Sequence, residues 1–280
     1  VTFTTSMEYV LARRVLLDAL HALGPHRAAV VLVGAQAVYQ HVGDGILAVA
    51  PTTTDADVAL APDLLCEEPL LEAALRDAGF TPGANPGTWH SASGIAIDLM
   101  VPDALSGGGK GRRGARLPVH GNRVARRTTG LEPALVDNQQ HDLTALDPAD
   151  NRSIRIRVAG PAALLAAKAI KVDDRLEDPH RLKPKDGLDM LRLLQVTEAG
   201  PLASQLHRLS SDVMAGEVTK RAIQVLRRHG NGPDSILARL AARAVGVLED
   251  PDVIAASFAV LLQETLAAYD ARPEAVSPAR

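Results

Sequence analysis

Apolar residues recur at helical spacing through MEYVLARRVLLDALHAL and predict a helix over residues 7 to 23. AAVVLVG is an unbroken apolar run ending at Gly34, the pattern of a buried strand, and AQAVYQHV after it predicts a short helix. TTDADVALA starts β-branched, alternates, and predicts a strand. DLLCEEPLLEAALRDAGF predicts a helix from about Asp63 to Ala78, stopped by Gly79. GIAIDLMVP predicts a strand closed by Pro102, and HDLTALDPADNRSIRIRVAG a hairpin turning at DPADN. From Pro161 the pattern is helical almost to the end. Breaks at Gly200-Pro201, Gly230 to Pro233 and Pro251 predict four or five helices there. The fold class expected is α+β: a mixed sheet domain over 1–158, then a helical region over 159–280. ARPEAVSPAR reads as a disordered tail, and no internal repeat is visible.

Composition narrows this picture. The 280 residues suffice for one large domain or two smaller ones. They are 46% apolar but 2% aromatic, so the core must be built mostly from Ala, Leu and Val. A net charge of −3 predicts neither a general nucleic-acid binder nor a strongly acidic partner. A single cysteine, Cys66, excludes an intrachain disulfide and fits a reducing compartment. No run reads as a membrane span, and VTFTTSMEYVLARR lacks the layout of a signal peptide. The expected location is the cytoplasm, with no membrane partner.

The chemistry centres on TTTDADVAL. Successive strand side chains point to opposite faces, so Asp55 and Asp57 share one face. Asp98 lies inside the apolar strand IAIDLMV, where a lone charge is costly unless paired or metal-bound. If the two strands are neighbours, three carboxylates converge, a ligand set for a two-metal clamp on phosphoryl or nucleotidyl transfer. The structural alternative is that Asp55 opens its strand from a turn and Asp98 faces solvent. Gly34, between a strand and a helix N-terminus, offers backbone N–H groups to an anion, although many such turns need a glycine. Further on, Lys168, Lys171 and Arg175 fall at i, i+3 and i+7 beside the packed face of Leu165, Val172 and Leu176. Such a stripe suits a cleft holding a triphosphate; a solvated helix side is the alternative. Asp186 and Asp189 stand one turn apart in KPKDGLDMLRLL, where acids also favour a helix start. Residues 106 to 127 are glycine-rich and carry Lys110, Arg112, Arg113, Arg116, Arg123, Arg126 and Arg127 with no acid. This is either a footprint for a phosphate backbone or a solvated loop. His41, His90, His120 and His141 show no metal-ligand spacing, and Trp89 reads as a packing residue before a strand.

A strand ending in Gly, a helix, Asp-x-Asp and a lone strand Asp together resemble the DNA polymerase beta-like nucleotidyltransferase superfamily. Within it the chain resembles the AbiEii/MenT-like toxins of toxin–antitoxin pairs, over about Val31 to Leu194. The resemblance implies a nucleotidyltransferase-type palm, with the helical C-terminal region completing the active site. It implies transfer of an NMP from an NTP to a hydroxyl with release of pyrophosphate, the acceptor being a tRNA 3′ end and a cognate antitoxin the partner. Asp55, Asp57 and Asp98 would bind Mg2+ or Mn2+, with Asp98 at the position that activates the hydroxyl. Gly34 and Ala35 would approach the nucleotide phosphates. Lys168 or Lys171 would contact the nucleotide, Lys168 being favoured, and Lys185 and Asp186 would complete the site. Two features depart from the superfamily pattern: Ala35 replaces the usual Ser or Gly, and HVGDGILAVAP lengthens the spacing from Gly34 to Asp55. The rival readings are the same chemistry on a small-molecule or protein acceptor, and a non-catalytic nucleotide- or RNA-binding protein.

Overall fold

The computed structural model describes residues 6–42, 49–107, 113–246 and 248–272. The first helix, α1 (Met7–Ala22), starts at Ser6, whose hydroxyl accepts the Tyr9 N–H. The unbroken VVLV run becomes β1 (Val30–Val33), buried on both faces. It leads directly into α2 (Gly34–Val42). β2 (Asp55–Leu60) runs back antiparallel to β1, and β5 (Ala96–Pro102) lies parallel to β2 on its other side. Before β5 come α3 (Leu71–Asp77) and the short strands β3 (Thr81–Pro82) and β4 (Thr88–His90). After it come β6 (Arg126–Thr128) and α4 (Glu132–Val136). The expected hairpin is β7 (Asn138–Thr144) and β8 (Ser153–Ala159), antiparallel and in full register. Its turn is pinned by Asp147, which accepts the Ala149 N–H at 2.9 Å. The sheet order is β3-β4-β5-β2-β1-β8-β7, with β6 continuing the β5 edge beyond β4. Parallel and antiparallel pairs mix, as the α+β reading expects.

Helices pack on this sheet: α1 against β2 and β5, α2 against β1 and β2. Six more follow the sheet: α5 (Pro161–Asp173), α6 (Pro184–Val196), α7 (Ala199–Ser210), α8 (Gly216–His229), α9 (Ile236–Val245) and α10 (Pro251–Asp270). The core is mostly Ala, Leu and Val, with Trp89 buried inside β4 itself and donating to the Val124 carbonyl at 3.0 Å.

Three sequence expectations need correction. The helix expected over Asp63 to Ala78 is only α3, because Pro69 lacks an N–H and cannot sit inside a helix. Gly200-Pro201 does not separate helices; it lies in the first turn of α7, where missing a backbone N–H costs nothing. The breaks fall instead before Pro184, at Thr197–Glu198 and before Gly216, which with those near Gly230 and Pro251 give six helices among the described residues. Finally, α10 is long and apolar enough, by length and composition, to cross a membrane, although no span was expected. Its Ile254, Phe258 and Leu262 are buried, and the helix packs on α7 and α9. Nearly all of the expected tail, residues 273–280, lies outside the described residues.

One contact sets how closely the helical region closes on itself. A Cβ at Gly187 would stand 2.5 Å from the Ala241 backbone nitrogen and 2.7 Å from the Leu240 Cβ. The axes of α6 and α9 therefore approach as only glycine permits. Gly187→Ala gains roughly 1 kcal/mol of helix propensity. Overpacking costs about 1–3 kcal/mol and prevails. The expected outcome is a lower unfolding free energy by urea titration; an unchanged or higher value would mean the helices can part freely.

Candidate active site

Strand register builds the first half of the site. Thr88, Asp98, Asp57 and Val33 are successive partners across β4, β5, β2 and β1, so they share one face. Asp55 lies on that face two residues earlier in β2, opposite Ala96. The row sits where β1 ends and β2 and β5 begin, so the N-terminus of α2 opens beside it. Gly34 holds φ at +69°, and a Cβ there would lie 2.2 Å from Asp57 Oδ2. Both backbone conformation and space therefore require glycine. Gln36, in the same turn, donates to the Asp55 carbonyl at 3.2 Å and accepts from the buried Arg13 at 2.9 Å. Thr53 donates to Asp55 Oδ1 at 2.8 Å. Ala35 is buried beneath, with no hydroxyl to offer.

Among the described residues the Asp57 carboxylate accepts no hydrogen bond. Burial pushes its pKa up to about 6, and the negative charges of Asp55 and Asp98 add to the shift against the opposing pull of Lys171 and Arg126. Asp98 is better served: Thr88 Oγ1 donates to Oδ1 at 2.7 Å and Arg126 Nη2 to Oδ2 at 2.9 Å. It does not face open solvent.

The second half comes from α5 and α6. Lys168 is buried and donates to Asp186 at 2.9 Å and Asp189 at 2.6 Å. Lys171, half exposed, donates to Asp186 at 3.0 Å, and Arg175 reaches its other oxygen at 3.4 Å. Arg192 approaches Asp189 at 3.4 Å, stacks over the Tyr39 ring, and donates to the Val49 carbonyl at 2.8 Å. Four cations thus meet two carboxylates, an excess of positive charge. Burial alone would raise the Asp186 pKa, but Lys168 and Lys171 hold it at about 2. Burial would lower Lys168, yet Asp189 and Asp186 raise it well above its usual value. Burial lowers Lys185, which also feels Asp189, Lys168, Asp55 and Asp57. Lys171 lies close enough to lower the Asp57 pKa, and Lys185 feels Asp55 and Asp57, so the two halves stand near one another.

The basic segment divides. Lys110 and Arg112 lie outside the described residues, as do 43–48 of the lengthened spacing. Arg126 bonds Asp98 and Arg127 pairs with Asp103. Arg113, Arg116 and Arg123 make no ion pair among the described residues and line an open cavity of about 600 Å³ with Asn85 and Asn122. The histidines serve packing: His41 meets His141 edge-on, and His120 meets His26. Sequence reasoning missed Thr88, Gln36 and Arg13, whose partners are distant in the chain. Arg192 carried a signal, standing at i+3 from Asp189.

A divalent cation suits this donor set in chemistry. Asp55 and Asp57 are hard oxygen donors on one face, and the unpartnered charge of Asp57 is what a cation relieves. No three His, Cys, Asp or Glu side chains among the described residues stand close enough to hold an ion as they are. Both oxygens of Asp98 are engaged, by Thr88 and Arg126.

A family model described as nucleotidyltransferase matches residues 13–215, from within α1 through the whole sheet to the residue before α8. No curated protein and no solved structure matches the chain.

Two outcomes follow from the charges. Lys168→Met leaves Asp186 and Asp189 facing each other without their shared cation, and should lower unfolding free energy by roughly 3–5 kcal/mol. Lys171→Ala, at the exposed rim, should change it far less in the same urea titration. Equal losses would remove the distinction between a buried brace and a rim cation. Asp57 titrates near pH 6 when folded and near its ordinary value when unfolded, so the folded state holds the proton more tightly. Its contribution is therefore favourable at low pH and lost as pH rises through about 6. Asp57→Asn should raise the metal-free melting temperature by at most about 5 °C at pH 7.5, and by nothing near pH 3.5. A pH-independent difference would contradict that origin.

Proposed function

The chain belongs to the nucleotidyltransferase family, and from that premise we propose that it moves an NMP from an NTP to an acceptor hydroxyl, releasing pyrophosphate, with a divalent cation, Mg2+ or Mn2+. The observation that carries the reading is the in-register pair Asp57–Asp98 with Gly34 beneath it and the lysines of α5 and α6 within its charge field. Asp55 and Asp57 would hold the cation, and Asp98 joins them once its oxygens are free. When bound, the cation neutralises developing charge on phosphoryl oxygens and favours the ionised hydroxyl. Asp98 accepts the hydroxyl proton. Lys171 and Lys185 meet the polyphosphate, aided by the backbone N–H groups of Gly34 and Ala35 at the α2 N-terminus.

Lys168, the favoured nucleotide contact at sequence level, is enclosed by Asp186 and Asp189. We therefore assign the direct contact to Lys171 and make Lys168 and Asp186 its positioning pair. The AbiEii/MenT-like resemblance adds a finer reading: a tRNA 3′ end as acceptor, and a toxin held by a cognate antitoxin. Arg113, Arg116 and Arg123 support an RNA acceptor, since guanidinium groups without an ion pair among the described residues, in an open cavity, suit backbone phosphates.

The test is single-turnover transfer from each labelled NTP with Mg2+ and total tRNA. Asp57→Ala should lower the rate at least about 1,000-fold, in line with loss of the main charge-stabilising group, while the protein stays folded by circular dichroism. Lys171→Ala should weaken NTP binding by calorimetry about tenfold or more, in line with loss of one charge-assisted contact. Wild-type turnover in Asp57→Ala sinks the catalytic assignment. Transfer to small hydroxyl compounds but never to tRNA moves the acceptor to the small-molecule class.

A further inference from the structure

Of the three sheet carboxylates, only Asp98 is in an ion pair among the described residues, with Arg126. Arg126 pairs with Met100 in the β5–β6 register, and Met100 shares a face with Asp98 two residues before it. The guanidinium is thereby aimed back along β5 to the carboxylate, where Nη2 donates to Oδ2 at 2.9 Å. The backbone behind it is rigid. β6 is hydrogen-bonded to β5 and bridged to Gly114, and the Trp89 indole fixes the Val124 carbonyl just before it. The contact uses only part of the guanidinium: Arg126 Nε is buried without a hydrogen-bond partner among the described residues. Arginine–carboxylate pairs frequently present two parallel N–H groups to both oxygens. Here Thr88 holds the second oxygen, and the buried Nε is left unsatisfied.

We propose that Arg126 is a latch on the third carboxylate: it holds Asp98 in the cation-free protein, competes with the divalent cation for the same oxygen, and is released as the cation binds. The freed guanidinium then stands beside the site as a donor for an anionic group. This rests on the reading of Asp55, Asp57 and Asp98 as cation ligands. Arg126 is a positioning residue in this account, acting through Asp98, so its signature is cation affinity measured without nucleotide or turnover.

The probe is Mn2+ alone, titrated into the metal-free protein by calorimetry and by the loss of its free EPR signal. Arg126→Gln should bind Mn2+ roughly tenfold more tightly than wild type, the size expected for removing a charge-assisted hydrogen bond from the competing state. Arg126→Lys keeps the stem and charge but loses the fork, and should tighten binding less, in the same direction; it serves where the glutamine variant unfolds. Asp98→Asn should weaken binding. In the Asp98→Asn background Arg126→Gln should have no further effect, because the latch has nothing left to hold. Tightening that persists in that background is simple relief of charge repulsion and overturns the latch. Unchanged or weaker binding by the arginine variants, with Asp98→Asn still weakening it, overturns the latch but leaves the cation reading in place. A wild type that binds no Mn2+ overturns both.

Discussion

A lysine ammonium cannot be buried alone. Lys168 is enclosed, and it stays charged because Asp186 and Asp189 close on it from the next helix. That bridge fixes the angle and depth at which α6 meets α5. It also spreads outward. Asp189 orients Arg192, Arg192 packs on Tyr39 and holds the Val49 carbonyl, and Tyr39 donates to the Thr52 carbonyl at 2.8 Å. The strand that carries Asp55 and Asp57 starts three residues later. The buried pair thus sets the position of two catalytic candidates it never touches.

The site is a meeting of two unbalanced charge groups. At the sheet edge, Asp55, Asp57 and Asp98 share a face with too little positive charge. At the α5–α6 junction, four cations share two carboxylates. Each excess is costly on its own, and the two are held near one another by packing elsewhere. Under the proposed function, a cation–triphosphate complex would carry both signs and could satisfy both.

Exposure separates the roles within the cationic cluster. Lys168 is sealed in, so its charge acts through the carboxylates around it. Lys171 stands at the rim, bonded to Asp186 but open to solvent, and can turn to a phosphate without leaving a cavity behind. Arg126 is intermediate, tied to Asp98 by one nitrogen. Helical spacing placed the α5 cations in one stripe, yet the depth of each is decided by what packs across from it.

The local pattern of this chain determined a good deal. An unbroken apolar run set β1, turn residues bounded β5 and the β7–β8 hairpin, period-3.6 hydrophobicity set α1 and α5, and alternation set β2 and put Asp55 and Asp57 on one face. Gly34 was legible because a strand turning straight into a helix needs positive φ. These are short-range properties, carried by neighbours in sequence. What lay beyond reach was pairing between distant segments. Only the sheet register sets Asp98 beside Asp57, gives it Thr88, and turns Arg126 from a residue of a basic loop into its partner. Only helix packing decides that Lys168 is buried and Lys171 exposed, since both lie on one face of the same helix. Sequence spacing specifies direction from the backbone, whereas burial and charge partners depend on which remote surface the fold brings opposite.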